Sequence, residues 1–400
     1  MATQADIRYS IKVNGKTKFE VVHFSHKESL SKLFKTKLKL VSKEGSPVFS
    51  DILDNPVTLT LFKGDELIRH INGIVTKFKQ GKSGFRRTHY KMQIEPELSR
   101  ANLIQDSRHW QNKTSQQIIE MVLKQSGVSH FKFMQISQAG KPQIREFCQQ
   151  YRETNLAFIQ RLAAEEGFYY YFEHKADQHI LHFADSTQAA NRVGDLLYNP
   201  NPSGDQPEPC LWQADYQEQI ASTKMATKDY NFKNPNYRLN QKAQKKTNET
   251  GDYEIFDSPG RFAYNEAGKP FTQTRLEELR RDSITISAKG DDMRVIPGYR
   301  MKLQGHPREA LNDEWVFVSI QHEGYQPGVL QEEAPAVGKK GEDPQGSYYK
   351  NQIQMIPWNV QWKADTQHKP VVDGSQIATV VGPKGEEIYC DEHPRVASLA

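Results

Sequence analysis

Arg145-Glu-Phe-Cys-Gln-Gln-Tyr-Arg-Glu-Thr-Asn-Leu-Ala-Phe-Ile-Gln-Arg-Leu-Ala-Ala-Glu-Glu-Gly-Phe-Tyr-Tyr-Tyr-Phe172 is the stretch on which the reading of this chain turns. Thr154 or Asn155 offers a side-chain oxygen to the free amides of a helix start. Leu156, Ile159, Leu162 and Ala163 recur at helical spacing and make one apolar stripe. Arg161 and Glu165, four apart, fall on the opposite side, which is expected to be wet. Gly167 supplies the left-handed residue that ends the helix. Phe168–Phe172 then alternates its rings across a strand. After a polar turn at 173–178, Ile180–Phe183 reads as the returning strand. The unit is a helix feeding a hairpin, with no catalytic motif. Its aromatic run suits a core on one side and a subunit or domain contact on the other better than it suits stacking of sugars or bases.

Upstream, residues 7–100 read as strands. Ile7–Val13 alternates and Asn14-Gly15 is a tight-turn signal, with Lys18–Phe24 as the partner strand. His26–Ser31 reads as a short polar turn or helix start. Phe34–Leu40 alternates again and puts Lys35, Lys37 and Lys39 on one face. A basic docking face for an acidic partner is one reading; a solvated face, or an edge protected by lysines, is the preferred one. Val57–Phe62, Glu66–Lys77 and Arg87–Glu95 add strands, and such short strands at close spacing suggest a barrel. Thr114-Ser-Gln-Gln117 is a capping box for a helix that Gly127 ends.

Downstream, Pro200–Pro209 is a proline-rich connector. Leu211–Thr227 is strand-like, and the stretch from Lys242 reads as a polar, mobile insertion. Thr274-Arg-Leu-Glu277 reads as a second capping box starting a short helix. Ser283–Ser287, Tyr299–Leu303 and Trp315–His322 are strands. The organisation expected is a first β-barrel region at 1–100, a helix and hairpin middle region with connector at 101–250, a second β-barrel region at 251–335, a linker at 336–370 and a further barrel start at 371–400. The fold class is mainly β with interspersed helices (α+β).

The 400 residues exceed one usual core, so two or three domains are expected. Lys and Arg number 53 against 49 Asp and Glu, a net charge of +4, too balanced to imply nucleic-acid binding. A hydrophobic share of 36% with 10% aromatics suits a β-rich protein with a large wet surface, or one that completes its core by oligomerising. Cys148, Cys210 and Cys390 are far apart, which argues against a disulfide framework or a zinc site. No Sec signal or bilayer-spanning apolar run is visible.

Gly81-Lys82-Ser83 lacks the first glycine of a phosphate loop, since Thr76 stands there. No Gly-x-Ser-x-Gly elbow exists. His174, His179 and His182 cluster in sequence, but 179 and 182 on one strand point to opposite faces. The adjacent carboxylates Asp291-Asp292 and Glu165-Glu166 are not expected to converge as an acid/base pair. No catalytic, cofactor-binding or metal residue is assigned, and no enzyme activity is expected.

The string Gln150–Tyr171 nonetheless resembles the VgrG family, the spike-hub proteins of type VI secretion (Rhs element Vgr proteins), which are similar to contractile-phage tail hubs. So do Glu28–Phe34, Asn72–Val75, Tyr90–Pro96, His109–Ile119, Pro297-Gly298 and Gly305-His306-Pro307. Leu33 stands where the family usually has proline, which should relax a turn. Gly374–Val396 resembles the start of the family's oligonucleotide/oligosaccharide-binding (OB) type barrel, with Pro394 in place of glycine. The resemblance implies two related tail-hub barrels, a homotrimer docked on a hexameric Hcp-like tube, and effectors and a spike-tip protein as further partners. It also implies assembly in the bacterial cytoplasm and export through the type VI apparatus, without nucleic acid. The stretch covered implies a hub that stops short of the OB barrel and needle; a prophage baseplate hub is the alternative, and a glycan-binding module or enzyme a more distant one.

Overall fold

The computed structural model describes residues 6–84, 86–135, 143–202, 208–246, 249–263, 265–330 and 346–371, and beyond these 374, 375, 377, 379–385, 388, 398 and 399. In chain order the elements are β1 (Ile7–Val13), β2 (Glu20–Ser29), β3 (Lys35–Ser42), β4 (Pro56–Lys63), β5 (Glu66–Ser83), β6 (Thr88–Glu95), β7 (Gln105–Thr114), α1 (Ser115–Gln125), β8 (Phe131–Met134), β9 (Ile144–Thr154), α2 (Asn155–Glu165), β10 (Tyr169–His174), β11 (His179–Ala184), β12 (Arg192–Tyr198), β13 (Cys210–Glu218), β14 (Lys224–Asp229), β15 (Leu239–Gln244), β16 (Glu254–Asp257), α3 (Asn265–Arg280), β17 (Ile284–Gly290), β18 (Arg300–Gln304), β19 (Glu314–Tyr325) and β20 (Tyr348–Pro357). The chain is mainly β, as its alternating runs predict.

Twelve strands share one sheet in the order β1-β4-β5-β6-β3-β2-β19-β18-β12-β13-β17-β20. β1 also meets β2, through Ser10 opposite Glu20, and β19 also pairs along β20. The hydrogen-bonded path therefore closes twice, into two circuits of six strands. The circuits meet at an antiparallel seam, where Ser29 of β2 faces Ser319 of β19 and His23 faces Tyr325. Each circuit has its own core. Tyr9, Phe24, Leu38, Leu59, Tyr90 and Met92 fill the first, onto which α1 and α2 pack; Leu196, Leu211, Ile286, Leu303, Phe317 and Met355 fill the second.

Local chemistry explains the helices that carry the site. Thr114 accepts from the Gln117 amide while the Gln117 side chain accepts from the Thr114 amide, the reciprocal cap predicted. Thr154 caps α2 by accepting from the Ala157 amide. Gly167, at φ +78°, ends it, and the Phe168 amide returns to the Ala163 carbonyl. After β20 the chain crosses back over this unit. Trp362 meets Tyr169 edge-on at 5.8 Å, and the Lys363 ammonium donates to the Asp185 carbonyl at 2.5 Å.

Several expectations are corrected. His26–Ser29 is neither turn nor helix but the end of β2, because β19 supplies a second row of hydrogen bonds there. Thr274 starts no helix; α3 begins at Asn265, since Gly268, Thr272 and Leu276 share its buried face. Lys242–Gln244 is part of β15, paired with β14, and not a mobile insertion. Boundaries at 250 and 335 cut through the second circuit, which draws β12 and β13 from the expected middle region and β20 from the expected linker. Closing a sheet recruits strands far apart in sequence, and nothing local marks them as partners. The expected OB-type start at 371–400 lies largely outside the described residues.

Candidate functional site

The opening hairpin is a wedge between the two cores. All of Phe168–Phe172 is buried. Because successive strand residues point to opposite faces, Tyr170 and Phe172 enter the first core and Tyr169 and Tyr171 the second. Phe172 meets Phe34 edge-on at 5.1 Å, and Tyr171 meets Tyr299 at 5.9 Å. The Tyr169 hydroxyl donates to the Ser186 carbonyl and the Tyr170 hydroxyl accepts from Gln160. No ring of this run is left free to stack a ligand.

Beside the wedge, the seam holds a buried ionic network that sequence reasoning missed. Arg69 of β5 donates from one nitrogen to both oxygens of Glu28 on β2, at 2.7 and 2.9 Å, and from the other to the Val295 carbonyl. His322 of β19 lies with Nε2 at 2.8 Å from Glu28 and Nδ1 at 2.5 Å from the Tyr349 hydroxyl of β20. A carboxylate only accepts, so His322 Nε2–H donates to Glu28 and Nδ1 accepts from Tyr349. Burial drives Glu28 toward protonation, yet Arg69 and then His26 outweigh it and hold the carboxyl well below the usual range. Burial, with Arg69 adding to it, pushes His322 down to about 3 against the pull of Glu28. The chemistry is that of a fastener: one ion pair and neutral imidazoles joining strands of both circuits. A signal did exist, since His26 and Glu28 fall in register with Phe24 and so on the inner face of an extended β2.

The structure separates His182 from the other two histidines of the sequence cluster, whose rings stay 6.1 Å apart across β10 and β11. His182 turns to Glu173, at 2.8 Å, and stacks on Tyr171. His174 and His179 turn instead to the first circuit, where His174 Nδ1 accepts from the Asn72 amide and His179 Nε2 from the Glu97 amide. Burial lowers both, His179 to about 4. His26, Glu28 and His174 bring one potential ligand atom each within 4.8 Å of the others. This trio does not fit a metal well. A neutral His174 that accepts at Nδ1 carries its proton on Nε2, the atom a cation would need, and Arg69 already occupies Glu28.

A second buried cluster corrects the reading of α2. Arg161 and Glu165 are 2% and 5% exposed, not wet, because β9 covers that face. Arg161 donates to both oxygens of Glu153 at 2.8 and 2.7 Å, and Arg145 donates to Glu165 and Glu166 at 2.7 and 2.8 Å. Glu165 and Glu166 thus converge on one guanidinium. Arg145 and then Lys369 outweigh burial and lower the Glu165 carboxyl, so the convergence is structural and shares no proton. Asp292, fully buried, is held by Arg294 at 2.6 Å.

Solved structures share this architecture. A component of the type VI secretion system of E. coli, c3393, described as structurally similar to the T4 bacteriophage tail proteins gp27 and gp5, superposes with a TM-score of 0.67 at 17% identity over 93% of this chain and 84% of that one. A 43 kDa tail protein of prophage MuSo2 from Shewanella oneidensis gives 0.57 at 15% identity over 89% and 99%. The fold is that of a tail-hub protein. The family model described as phage tail baseplate hub (GPD) matches residues 27–328, and the chain belongs to that family. The type VI secretion system spike proteins VgrG2b and VgrG2a of Pseudomonas aeruginosa are each 37% identical over 398 residues, 98% of this chain. The VgrG resemblance therefore extends along nearly the whole sequence, while the chain spans 38% and 46% of those relatives' lengths.

Proposed function

We propose that this chain acts as a structural hub of a type VI secretion spike, assembled as a homotrimer on the end of a hexameric Hcp-like tube. The observation that carries the reading is the pair of six-strand circuits in one subunit. Three subunits would present six circuits of similar build, a pseudo-sixfold ring matching a hexamer's end. The subunit interfaces would supply most of the assembly energy, at ~25 cal/mol for each Å² of apolar area removed from water. A tip protein and effectors would ride on the spike below, and export would follow the type VI apparatus. Among the described residues no helix is long and apolar enough to cross a membrane. Function in this reading is non-enzymatic and lies in shape. Domain boundaries would follow the two circuits, with the β14–β16 sheet and α3 as a satellite of the second.

The experiment is to mix the purified protein with preformed Hcp-like tubes and image them by electron microscopy. Density capping tube ends is expected; bare ends at saturating protein would refute the docking. The likeness to the MuSo2 tail protein supports a second reading, a prophage baseplate hub. Neighbouring genes for a type VI sheath and its ATPase, or for phage capsid, separate the two.

A further inference from the structure

Strands β5, β6, β3, β2, β19, β20 and β17 lie side by side, and their outward residues form one continuous face. On it Lys79 of β5 stands opposite Lys91 of β6, and Lys91 opposite Lys39 of β3. Lys77 and Lys37 flank Gln93 in the next register, and Lys27 of β2 faces Lys35 of β3. All of these lysines are exposed. Directly opposed side chains start only ~5 Å apart at Cβ, and like charges so placed destabilise a sheet. Carboxylates in the same registers are already engaged: Glu95 by Lys35 at 3.2 Å, Glu323 by Lys350 at 3.2 Å. Lys27, Lys37, Lys39, Lys77, Lys79 and Lys91 have no ion-pair partner among the described residues.

Protection of an edge does not account for this ladder. Lysines blunt strands whose backbone is unpaired, but β6, β3 and β2 are paired on both sides. The cost is carried in the middle of the sheet. Where the face crosses the seam it becomes concave, a groove of about 360 Å³ whose lining includes Lys27, Lys289, Gln321, Gln352 and Gln354, and its one carboxylate, Asp215, already accepts from Gln213 at 2.7 Å. The glutamine amides each offer a donor and an acceptor, as a peptide group does, whereas a phosphodiester can use only the donor half. The lysines are point charges, and these registers hold no arginine, whose fork suits phosphate.

We infer that this face is a docking surface for an acidic polypeptide. Its carboxylates sit on the lysine ladder of the first circuit, and its backbone amides meet the glutamines at the seam. The inference rests on the sheet of one subunit and does not require the ring or the tube.

The test uses the intact chain and labelled poly-L-glutamate as probe, with duplex DNA and phosphatidylserine vesicles as competitors. The variant Lys39→Gln/Lys79→Gln/Lys91→Gln is compared with a control off this face, Lys245→Gln/Lys246→Gln. The ladder variant should bind the probe about tenfold or more weakly, with binding that falls as salt rises, while the control binds as the parent does. The ladder variant should also melt at a higher temperature, since it relieves repulsion. Equal loss in the control, unchanged binding in the ladder variant, a lower melting temperature, or stronger binding of DNA or vesicles than of poly-L-glutamate would each overturn the inference.

Discussion

Arg69 and Glu28 form an ion pair inside the molecule, one nitrogen of the guanidinium donating to both carboxylate oxygens, with both side chains 4% exposed. His322 brings the neighbouring circuit to the same carboxylate. Removing one partner leaves the other charged and buried, so Glu28→Gln should lower unfolding free energy by about 3–5 kcal/mol. Glu28→Leu/Arg69→Met, which removes both charges, should cost less than either single change. Urea unfolding of the three variants checks this; a double variant as damaged as the sum of the singles would show that the pair is not the unit.

Acid should loosen the seam at His322 and the hairpin's contact with the first circuit at His179. His322 and His179 sit at about 3 and about 4, below the ordinary 6.5. Between those values and 6.5 the unfolded chain binds more protons than the folded one, so stability rises with pH there. Their contribution is complete above pH 6.5 and drains as pH falls through 6.5, toward 4 for His179 and toward 3 for His322, at up to ~1.4 kcal/mol per unit for each. His322→Gln keeps a donor and an acceptor without titrating, so it should flatten the acid limb of a stability–pH curve measured by urea melts. A limb as steep as the parent's would remove His322 from the account.

Gly298 lies against the wedge at φ +81°, and a Cβ built there would stand 2.7 Å from the Tyr171 ring. Gly298→Ala combines a left-handed strain of about 1–3 kcal/mol with that clash. The expected result is a lower melting temperature and near-ultraviolet dichroism altered at the tyrosines. Gly15→Ala, also left-handed at φ +73° but with open space around it, should cost less.

Leu162, fully buried under the first core, should cost about 2–5 kcal/mol as Leu162→Ala. Thr114→Ala removes a cap at a half-exposed helix start and should cost about 1 kcal/mol. Comparing the two by thermal unfolding separates core packing from local capping; equal costs would contradict the assignment of α2's apolar stripe to the core.

Legibility in the sequence followed the range of the interaction. The cap at Thr114, the stop at Gly167 and the hairpin of β10 and β11 are set within a few residues, and they are present as read. Arg161 and Glu165 read as wet because helical spacing shows which residues share a face, not what covers it; β9 covers this one. The Glu28–Arg69–His322 network joins residues up to 294 positions apart, and no single strand advertises it. The second circuit is longer than its local signals for the same reason, as β12, β13 and β20 gain their identity from pairing with one another's neighbours. The VgrG resemblance stood apart from these limits, because a long irregular string identifies a family without any pairing being known.

If the two circuits of one chain are one third of a ring, the protein should trimerise in solution. Multi-angle light scattering on the purified protein, across a concentration series, reads this mass. A species of three times the 46.0 kDa subunit mass, growing with concentration, is expected. A strict monomer at the highest concentration reached would contradict it.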